Sequence, residues 1–149
     1  MINYFAYGAN LNQAALPARG VKVIDIKKGI LKDWQLNFGV PSGSISGAGY
    51  ASIEPAKGKE VEGAIIITDQ ASINNLDVYE GYPYDYIKEV VEVEEIETGE
   101  KIKCLVYIGN PKYGKQGLRP VKKYLEEILQ GKEFFSDKYF NKLKKVKVI

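Results

Sequence analysis

The chain has 149 residues, 45% of them hydrophobic, and its 21 basic and 19 acidic side chains give a net charge of +2. This length predicts a single domain, residues 1–149, and the small charge without a long apolar run predicts neither a nucleic-acid partner nor a membrane span. The absence of histidine excludes Ser-His-Asp and Cys-His catalysis and the usual histidine-bearing metal sites, so any catalysis must use carboxylates, tyrosines or the backbone.

The N-terminal segment predicts a strand, a glycine turn and a helix in direct succession. A β-branched and aromatic run covers residues 2–7 and ends at Gly8. Asn10 and Gln13 have the spacing of a capping box, which predicts a helix over residues 11–16 that ends before a proline. Such a turn leaves backbone N–H groups unpaired at the positive end of a helix, where a carboxylate or an oxyanion would bind. A purely structural turn has the same local sequence, so both interpretations stay open.

The remaining pattern predicts an α+β chain without repeats. Further strands are predicted near residues 21–25, 29–38, 48–54, 60–67, 86–97 and 101–108. Residues 98–100 turn the last two strands into a hairpin, and helices are predicted to begin near Asp69, Pro120 and Ser136. Five glutamates of the 86–97 segment are predicted to point outward rather than to hold a metal; they are Glu89, Glu92, Glu94, Glu95 and Glu97.

The helix that begins near Asp69 places a carboxylate on its inner face. Gly81 stops this helix, and helical spacing puts Ile73, Leu76 and Glu80 on one stripe. Burial and the negative end of the helix dipole both disfavour a charged carboxylate there, so the pKa of Glu80 is predicted to be raised, as in a general base. On spacing alone, a solvated Glu80 paired with a lysine is the more common arrangement, so this alternative stays open.

Three features of the C-terminal half have simpler interpretations. Cys104, the only cysteine, can form no internal disulfide and lies in an apolar run typical of a buried strand, which fits a reducing cytoplasm. Residues 109–116 approach the pattern of a phosphate-binding loop, but Gln116 replaces the Ser/Thr that would hold Mg²⁺, which argues against a nucleotide site. Tyr124 shares a helical face with Ile128, so it is predicted to point inward.

Two short motifs occur in order along the chain. The first is Tyr7-Gly8-Ala9-Asn10-Leu11, and the second is the Leu-Asp-Val-Tyr-Glu-Gly of residues 76–81. Together they resemble the signatures of the γ-glutamylcyclotransferase family, Tyr-Gly-Ser-Asn-Leu and Leu-Asp-x-x-Glu-Gly, and the resemblance spans nearly the whole chain. Two positions depart from the family pattern: Ala9 replaces a serine whose backbone N–H is retained, and Val121 replaces a serine that would cap a helix.

The resemblance implies a small, closed, mixed β-barrel with short flanking helices. It also implies intramolecular aminolysis of a small γ-glutamyl compound, which releases 5-oxoproline and a free amino acid or amine without a cofactor or a metal. Glu80 would be the general acid/base. The same pocket could instead bind an amino-acid-like metabolite without turnover, and the oligomeric state, including a homodimer, is left open.

The resemblance further assigns residues to the substrate site. The substrate-binding set comprises Tyr4, Phe5, Ala6, Tyr7, Gly8, Ala9, Asn10 and Tyr124. Backbone groups of residues 4–9 would hold the glutamyl moiety, and Tyr124 would contact it from the C-terminal helix. Tyr86 and Tyr107 are candidates for the pocket wall, although core packing is the simpler interpretation for both.

Overall fold

The computed structural model describes residues 1–149 and contains a closed five-stranded β-barrel. The strands are β1 (Ile2–Ala6), β2 (Asp25–Pro41), β3 (Gly49–Thr68), β4 (Tyr86–Glu95) and β5 (Lys101–Gly109). They follow the order β1-β3-β2-β4-β5, and β1 closes the barrel by pairing in parallel with β5 while all other pairs are antiparallel. The predicted mixed barrel is therefore confirmed.

Two long strands depart from the predicted limits. The predicted strands 48–54 and 60–67 join into β3, and the predicted strand 29–38 extends at both ends into β2. The predicted strand 21–25 is wrong except for Asp25, where β2 begins. At the irregular point, residues 56–59 of β3 oppose Asp33 alone. Asp33 has a φ of +66° and its carboxylate accepts from the Gly58 N–H at 3.0 Å. The ladder resumes after this bulge, so Pro55 and Gly58 bend the strand and do not end it.

The three helices are α1 (Gln70–Glu80), α2 (Lys122–Leu129) and α3 (Asp137–Lys144). The predicted limits of α1 are confirmed, because the Asp69 carboxylate accepts from the Ser72 N–H at 2.8 Å and Gly81 ends the helix with a φ of +71°. At the start of α2, Val121 provides no side-chain cap, as expected from its lack of a hydroxyl. No helix of the structure is both long and apolar enough to cross a membrane.

The predicted helix over residues 11–16 is wrong. Three short 3₁₀ turns, Ala9–Leu11, Gln13–Ala15 and Pro17–Arg19, occupy this part of the chain. Asn10 lies buried inside the first turn and caps nothing, and the Gln13 amide bonds to Glu133 at 2.7 Å. Both side chains have partners distant in sequence, which outweigh the local capping pattern.

The barrel interior and the inner face of α1 form the hydrophobic core. Phe5, Ile65 and Val106 are fully buried inside the barrel, and Ile73 and Leu76 bring α1 against it. The barrel thus holds both ends of the candidate site: the turn after β1 and the last residue of α1.

Two sequence-based burial predictions have different outcomes. Cys104 is a buried, free strand residue, as predicted, and burial raises the pKa of its thiol to about 12. Glu95, predicted to point outward, is only 4% exposed. Its carboxylate accepts from the Thr98 hydroxyl at 2.5 Å and lies 3.8 Å from Lys27, so local partners permit its burial.

Candidate active site

A pocket of about 470 Å³ opens where β1, α1 and α2 meet. The segment from β1 into the following turn contributes Tyr4, Tyr7, Gly8, Ala9 and Asn10 to its wall. The last residue of α1, Glu80, faces the same space. The strands and α2 add Tyr86, Tyr107 and Tyr124. Most residues named by the sequence for the site therefore lie around one cavity.

Two of the named residues do not line this pocket. Phe5 is fully buried in the hydrophobic core and Ala6 is 1% exposed, paired with Ala64 of β3. Successive side chains of a strand point to opposite faces, so Phe5 points away from Tyr4, whereas Ala6 shares the face of Tyr4 but is covered. Phe5 and Ala6 support the strand that carries Tyr4.

Glu80 is partly exposed to the pocket but otherwise surrounded by protein. Burial raises the pKa of its carboxyl group from the ordinary value of 4.5 to about 7, and the Asn10 amide and the Arg19 cation counteract part of this rise. Asn10 donates from Nδ2 to Glu80 Oε1 at 3.2 Å and to the Tyr4 hydroxyl at 2.8 Å. Glu80 is thus poised to exchange a proton near neutral pH.

The five pocket tyrosines that the sequence predicts divide into two groups by their hydrogen bonds. Tyr7 donates to the Tyr107 carbonyl at 2.5 Å, Tyr86 to the Ala51 carbonyl at 2.7 Å, and Tyr107 to Asp77 Oδ1 at 2.6 Å. These three hydroxyl hydrogens are bound within the protein, which agrees with a mainly structural role.

Tyr4 and Tyr124 differ from these three tyrosines because their hydroxyls only accept. Tyr4 accepts from Asn10, and Tyr124 accepts from the Ala51 N–H at 3.0 Å. Neither hydroxyl donates to a group of the chain, so both retain a hydrogen for a ligand. Burial is the main cause that raises the pKa of both hydroxyls above the ordinary value, so they stay protonated at neutral pH.

The turn after β1 lines the same cavity and has two backbone donors without a partner. The N–H groups of Tyr7 and Gly8 form no hydrogen bond within the chain. A Cβ added to Gly8 would lie 3.3 Å from the Ala51 Cβ and 3.7 Å from the Tyr124 hydroxyl. Gly8 has a φ of −127°, outside the left-handed region, and an added Cβ would be tight only against Ala51. Its missing side chain keeps the pocket open toward Tyr124.

Asp77 fixes α1 on the barrel three residues before Glu80. Its carboxylate accepts from the Tyr107 hydroxyl at 2.6 Å and pairs with the Lys88 Nζ at 2.9 Å. These contacts join α1 to both β5 and β4. The aspartate of the second motif therefore holds the helix whose last residue enters the pocket.

Several residues of the site have no signal in the sequence. Tyr50 and Tyr79 line the pocket, and Arg19 contacts the turn that carries Asn10. Tyr79 precedes Glu80 in the helix, but its aromatic side chain alone gives no reason to expect it in the wall. The structure contains no cluster of three or more His, Cys, Asp or Glu residues that could hold a metal ion.

A closed mixed barrel carries a pocket lined by a mostly buried glutamate and by residues with unpaired donors, which is the geometry of a small-molecule site. Residues 4–127 match the family described as Gamma-glutamyl cyclotransferase, AIG2-like, and the chain belongs to this family. The family resemblance of the two sequence motifs is thereby confirmed.

Relatives support this family assignment. Human gamma-glutamylcyclotransferase is 32% identical over 110 residues, and the bovine protein is 29% identical over 107 residues. Each match covers 70% of this chain and 57% of the relative, so the chain spans little more than half the length of these curated relatives. A solved gamma-glutamyl cyclotransferase structure superposes with a TM-score of 0.84 at 28% identity, covering 99% of this chain and 89% of that one.

The raised pKa of Glu80 predicts a loss of stability as the pH rises from 4.5 to 7. The ordinary pKa of a glutamate is 4.5, and that of folded Glu80 is about 7. Between these values the folded state binds more protons than the unfolded state, so the free energy of unfolding falls as the pH rises and levels off above 7. Glu80→Gln removes the ionisation. Relative to wild type, its free energy of unfolding should gain about 3 kcal/mol between pH 4 and pH 8.

Chemical unfolding of both proteins at the two pH values measures this effect. Glu126→Gln, at an exposed position of α2, is the matched control and should show no such gain. An equal difference between wild type and Glu80→Gln at both pH values would contradict the raised pKa.

Proposed function

We propose that this protein is an enzyme that converts a γ-glutamyl compound into 5-oxoproline and a free amino acid or amine. The α-amino nitrogen of the substrate attacks its own γ-carbonyl carbon, and a new C–N bond closes the five-membered ring. The bond from that carbon to the leaving nitrogen then breaks. Glu80 accepts the proton lost by the attacking amine and returns one to the leaving nitrogen, so the reaction needs no external proton donor.

The observation that carries this proposal is the single pocket shared by the Glu80 carboxylate and several unpaired donors. The hydroxyls of Tyr4 and Tyr124 and the N–H groups of Tyr7 and Gly8 have hydrogens to donate, and all four residues line the pocket. A γ-glutamyl group presents a matching set: an α-carboxylate and a γ-carbonyl that accept, and an α-amine that a carboxylate can deprotonate. The volume of about 470 Å³ is suitable for a molecule of this size.

Positioning explains how one carboxylate is sufficient. The substrate carries its own nucleophile, so the protein must fold the α-amine onto the γ-carbonyl and remove a proton. Donors that hold the α-carboxylate and the carbonyl at the same time favour the bent conformation that cyclises. Donors to the carbonyl also stabilise the negative charge that develops on its oxygen during attack.

A panel of γ-glutamyl amino acids, γ-glutamyl amines and γ-glutamyl peptides tests the proposal. We expect release of 5-oxoproline from at least one class, measured by liquid chromatography with mass detection. Saturable binding of 5-oxoproline without turnover of any compound would instead identify a non-catalytic binding protein. If no compound is turned over and 5-oxoproline does not bind, the use of this pocket for γ-glutamyl groups is refuted.

The titration of Glu80 predicts the pH dependence of the reaction. A general base must be deprotonated in the free enzyme, so kcat/KM should rise with pH through a midpoint near the Glu80 pKa of about 7. An initial-rate profile from pH 5 to pH 9 measures this limb. A midpoint near 4.5, the ordinary glutamate value, would contradict the role of burial.

A further inference from the structure

Arg19 ends the third 3₁₀ turn, and its guanidinium is clamped beside the pocket. Its side chain is 12% exposed, and Nη2 donates to Glu127 Oε2 of α2 at 2.8 Å. The guanidinium carbon lies 4.4 Å from the centre of the Tyr79 ring. An ion pair on one side and an aromatic face on the other fix the plane of the group.

The clamped guanidinium determines which way the Asn10 amide points. Nη1 of Arg19 donates to Asn10 Oδ1 at 2.8 Å and to the Ala9 carbonyl at 3.2 Å. Because a guanidinium can only donate, the amide oxygen must face Arg19. The amide nitrogen must then face the Tyr4 hydroxyl and Glu80, as observed at 2.8 Å and 3.2 Å.

The opposite orientation of Asn10 would disturb the site. A rotated amide would present its oxygen to the Glu80 carboxylate, and two acceptors would then face each other. Glu80 would lose its donor within a mostly buried setting, where an unpaired acceptor is costly. The contact with Ala9 also anchors the turn that carries the unpaired N–H groups of Tyr7 and Gly8.

We propose that Arg19 is a positioning residue for the reaction: acting through Asn10, it orients the Glu80 carboxylate without contacting the substrate. This inference rests on the proposed function, since it assigns Arg19 to the same acid/base step. The two terminal nitrogens of the Arg19 guanidinium donate to Glu127, Asn10 and Ala9, and Arg19 does not line the pocket.

The positive charge of Arg19 also lowers the pKa of Glu80. The surrounding titratable side chains come from β1, the turn after it, α1, β4, β5 and α2; they are Tyr4, Tyr7, Tyr79, Tyr86, Tyr107 and Tyr124. Asp85 lines the pocket, while Glu127 is paired with Arg19 and Asp77 with Lys88. Removal of Arg19 therefore leaves Glu80 among neutral and acidic groups, and its pKa should rise further.

Three variants of the full chain separate the positioning effect from the charge effect. Arg19→Met removes the charge and the contacts, and Arg19→Lys keeps the charge but cannot span Asn10 and Glu127. Arg119→Met is the matched control, because it removes one positive charge at an exposed arginine whose side chain forms no hydrogen bond or ion pair. All three are assayed with the best compound of the panel, and their folding is checked by circular dichroism.

We expect Arg19→Met to lower kcat by roughly tenfold or more while KM changes less than about threefold. Its pH-rate limb and the NMR titration of Glu80 should move upward by about 0.5–1 unit. Arg19→Lys should keep the wild-type midpoint but still show a lowered kcat. Arg119→Met should match wild type in kcat, KM and midpoint.

Three results would overturn the inference. One is an Arg19→Met protein with the kcat and pH midpoint of wild type. Another is an Arg19→Lys protein with the kcat of wild type, because the charge would then be the only contribution of Arg19 to the reaction. A third is an unchanged NMR signal of the Asn10 side-chain amide in a folded Arg19→Met protein. If Arg19→Met does not fold, Arg19→Lys decides the question by kcat and the same amide signal.

The inference can fail separately from the proposed function. A wild-type protein without turnover would refute the proposed function alone. The Glu80 titration and the Asn10 amide signal would then still show whether Arg19 orients this pair. Active wild-type protein with an unaffected Arg19→Met variant would refute the inference alone.

Discussion

Glu80→Gln should lower the turnover of a γ-glutamyl substrate by roughly 10² or more while the protein remains folded. Glutamine has nearly the same size, and its carbonyl oxygen can still accept from the Asn10 amide that now donates to Glu80 Oε1 at 3.2 Å. What it loses is the ability to take a proton. KM should change little, because the proposed substrate contacts from Tyr4, Tyr124 and the turn after β1 are retained.

Initial rates of 5-oxoproline formation, together with a thermal unfolding curve, measure this effect. Glu126→Gln removes the same charge at an exposed position of α2 and should keep full activity. A folded Glu80→Gln protein within tenfold of wild-type kcat would remove Glu80 from the acid/base role. The other pocket-lining carboxylate, Asp85, would then be the next candidate.

Gly8→Val should reduce kcat/KM by roughly 10² or more through loss of substrate binding. Even a Cβ at this position would lie 3.3 Å from the Ala51 Cβ and 3.7 Å from the Tyr124 hydroxyl. The two γ-methyl groups of valine would extend into the space between the turn and α2. Binding of 5-oxoproline, measured by calorimetry, should be weakened in parallel with turnover.

Two variants serve as controls for Gly8→Val. Gly114→Val adds the same side chain where a Cβ would have no neighbour closer than 3.9 Å, outside the pocket of Glu80, and should keep wild-type kcat/KM. Ala9→Ser restores the family residue and should be tolerated, since Ala9 is assigned a backbone role. A folded and fully active Gly8→Val protein would refute the placement of the glutamyl group against this turn.

The sequence predicts most elements of the fold but not how they join. The limits of α1 were predictable because Asp69 and Gly81 act locally, as cap and stop. The predicted helix after Gly8 is wrong because the Asn10 amide binds distant partners instead of capping a local helix. Glu80 is 70 residues away in sequence, and no local pattern indicates that contact.

The candidate site was predictable to the extent that its residues are carried by motifs. The turn residues and Glu80 belong to two short signatures, so they could be named before their geometry was known. The resemblance assigns Phe5 and Ala6 through the backbone of residues 4–9, and it carries no information on the pleat that turns the Phe5 side chain into the core. Arg19 was missed because its role depends on Glu127, which lies 108 residues away.

The most direct test of the central claim is to run the reaction in H₂¹⁸O and identify every product by mass spectrometry. Intramolecular aminolysis breaks the amide by attack of the substrate's own amine, so no oxygen from water should enter the product. We predict unlabelled 5-oxoproline and the free amine in equal amounts, with both products lost in Glu80→Gln. Glutamate carrying ¹⁸O as the first product would instead show hydrolysis and would contradict the mechanism derived from this pocket.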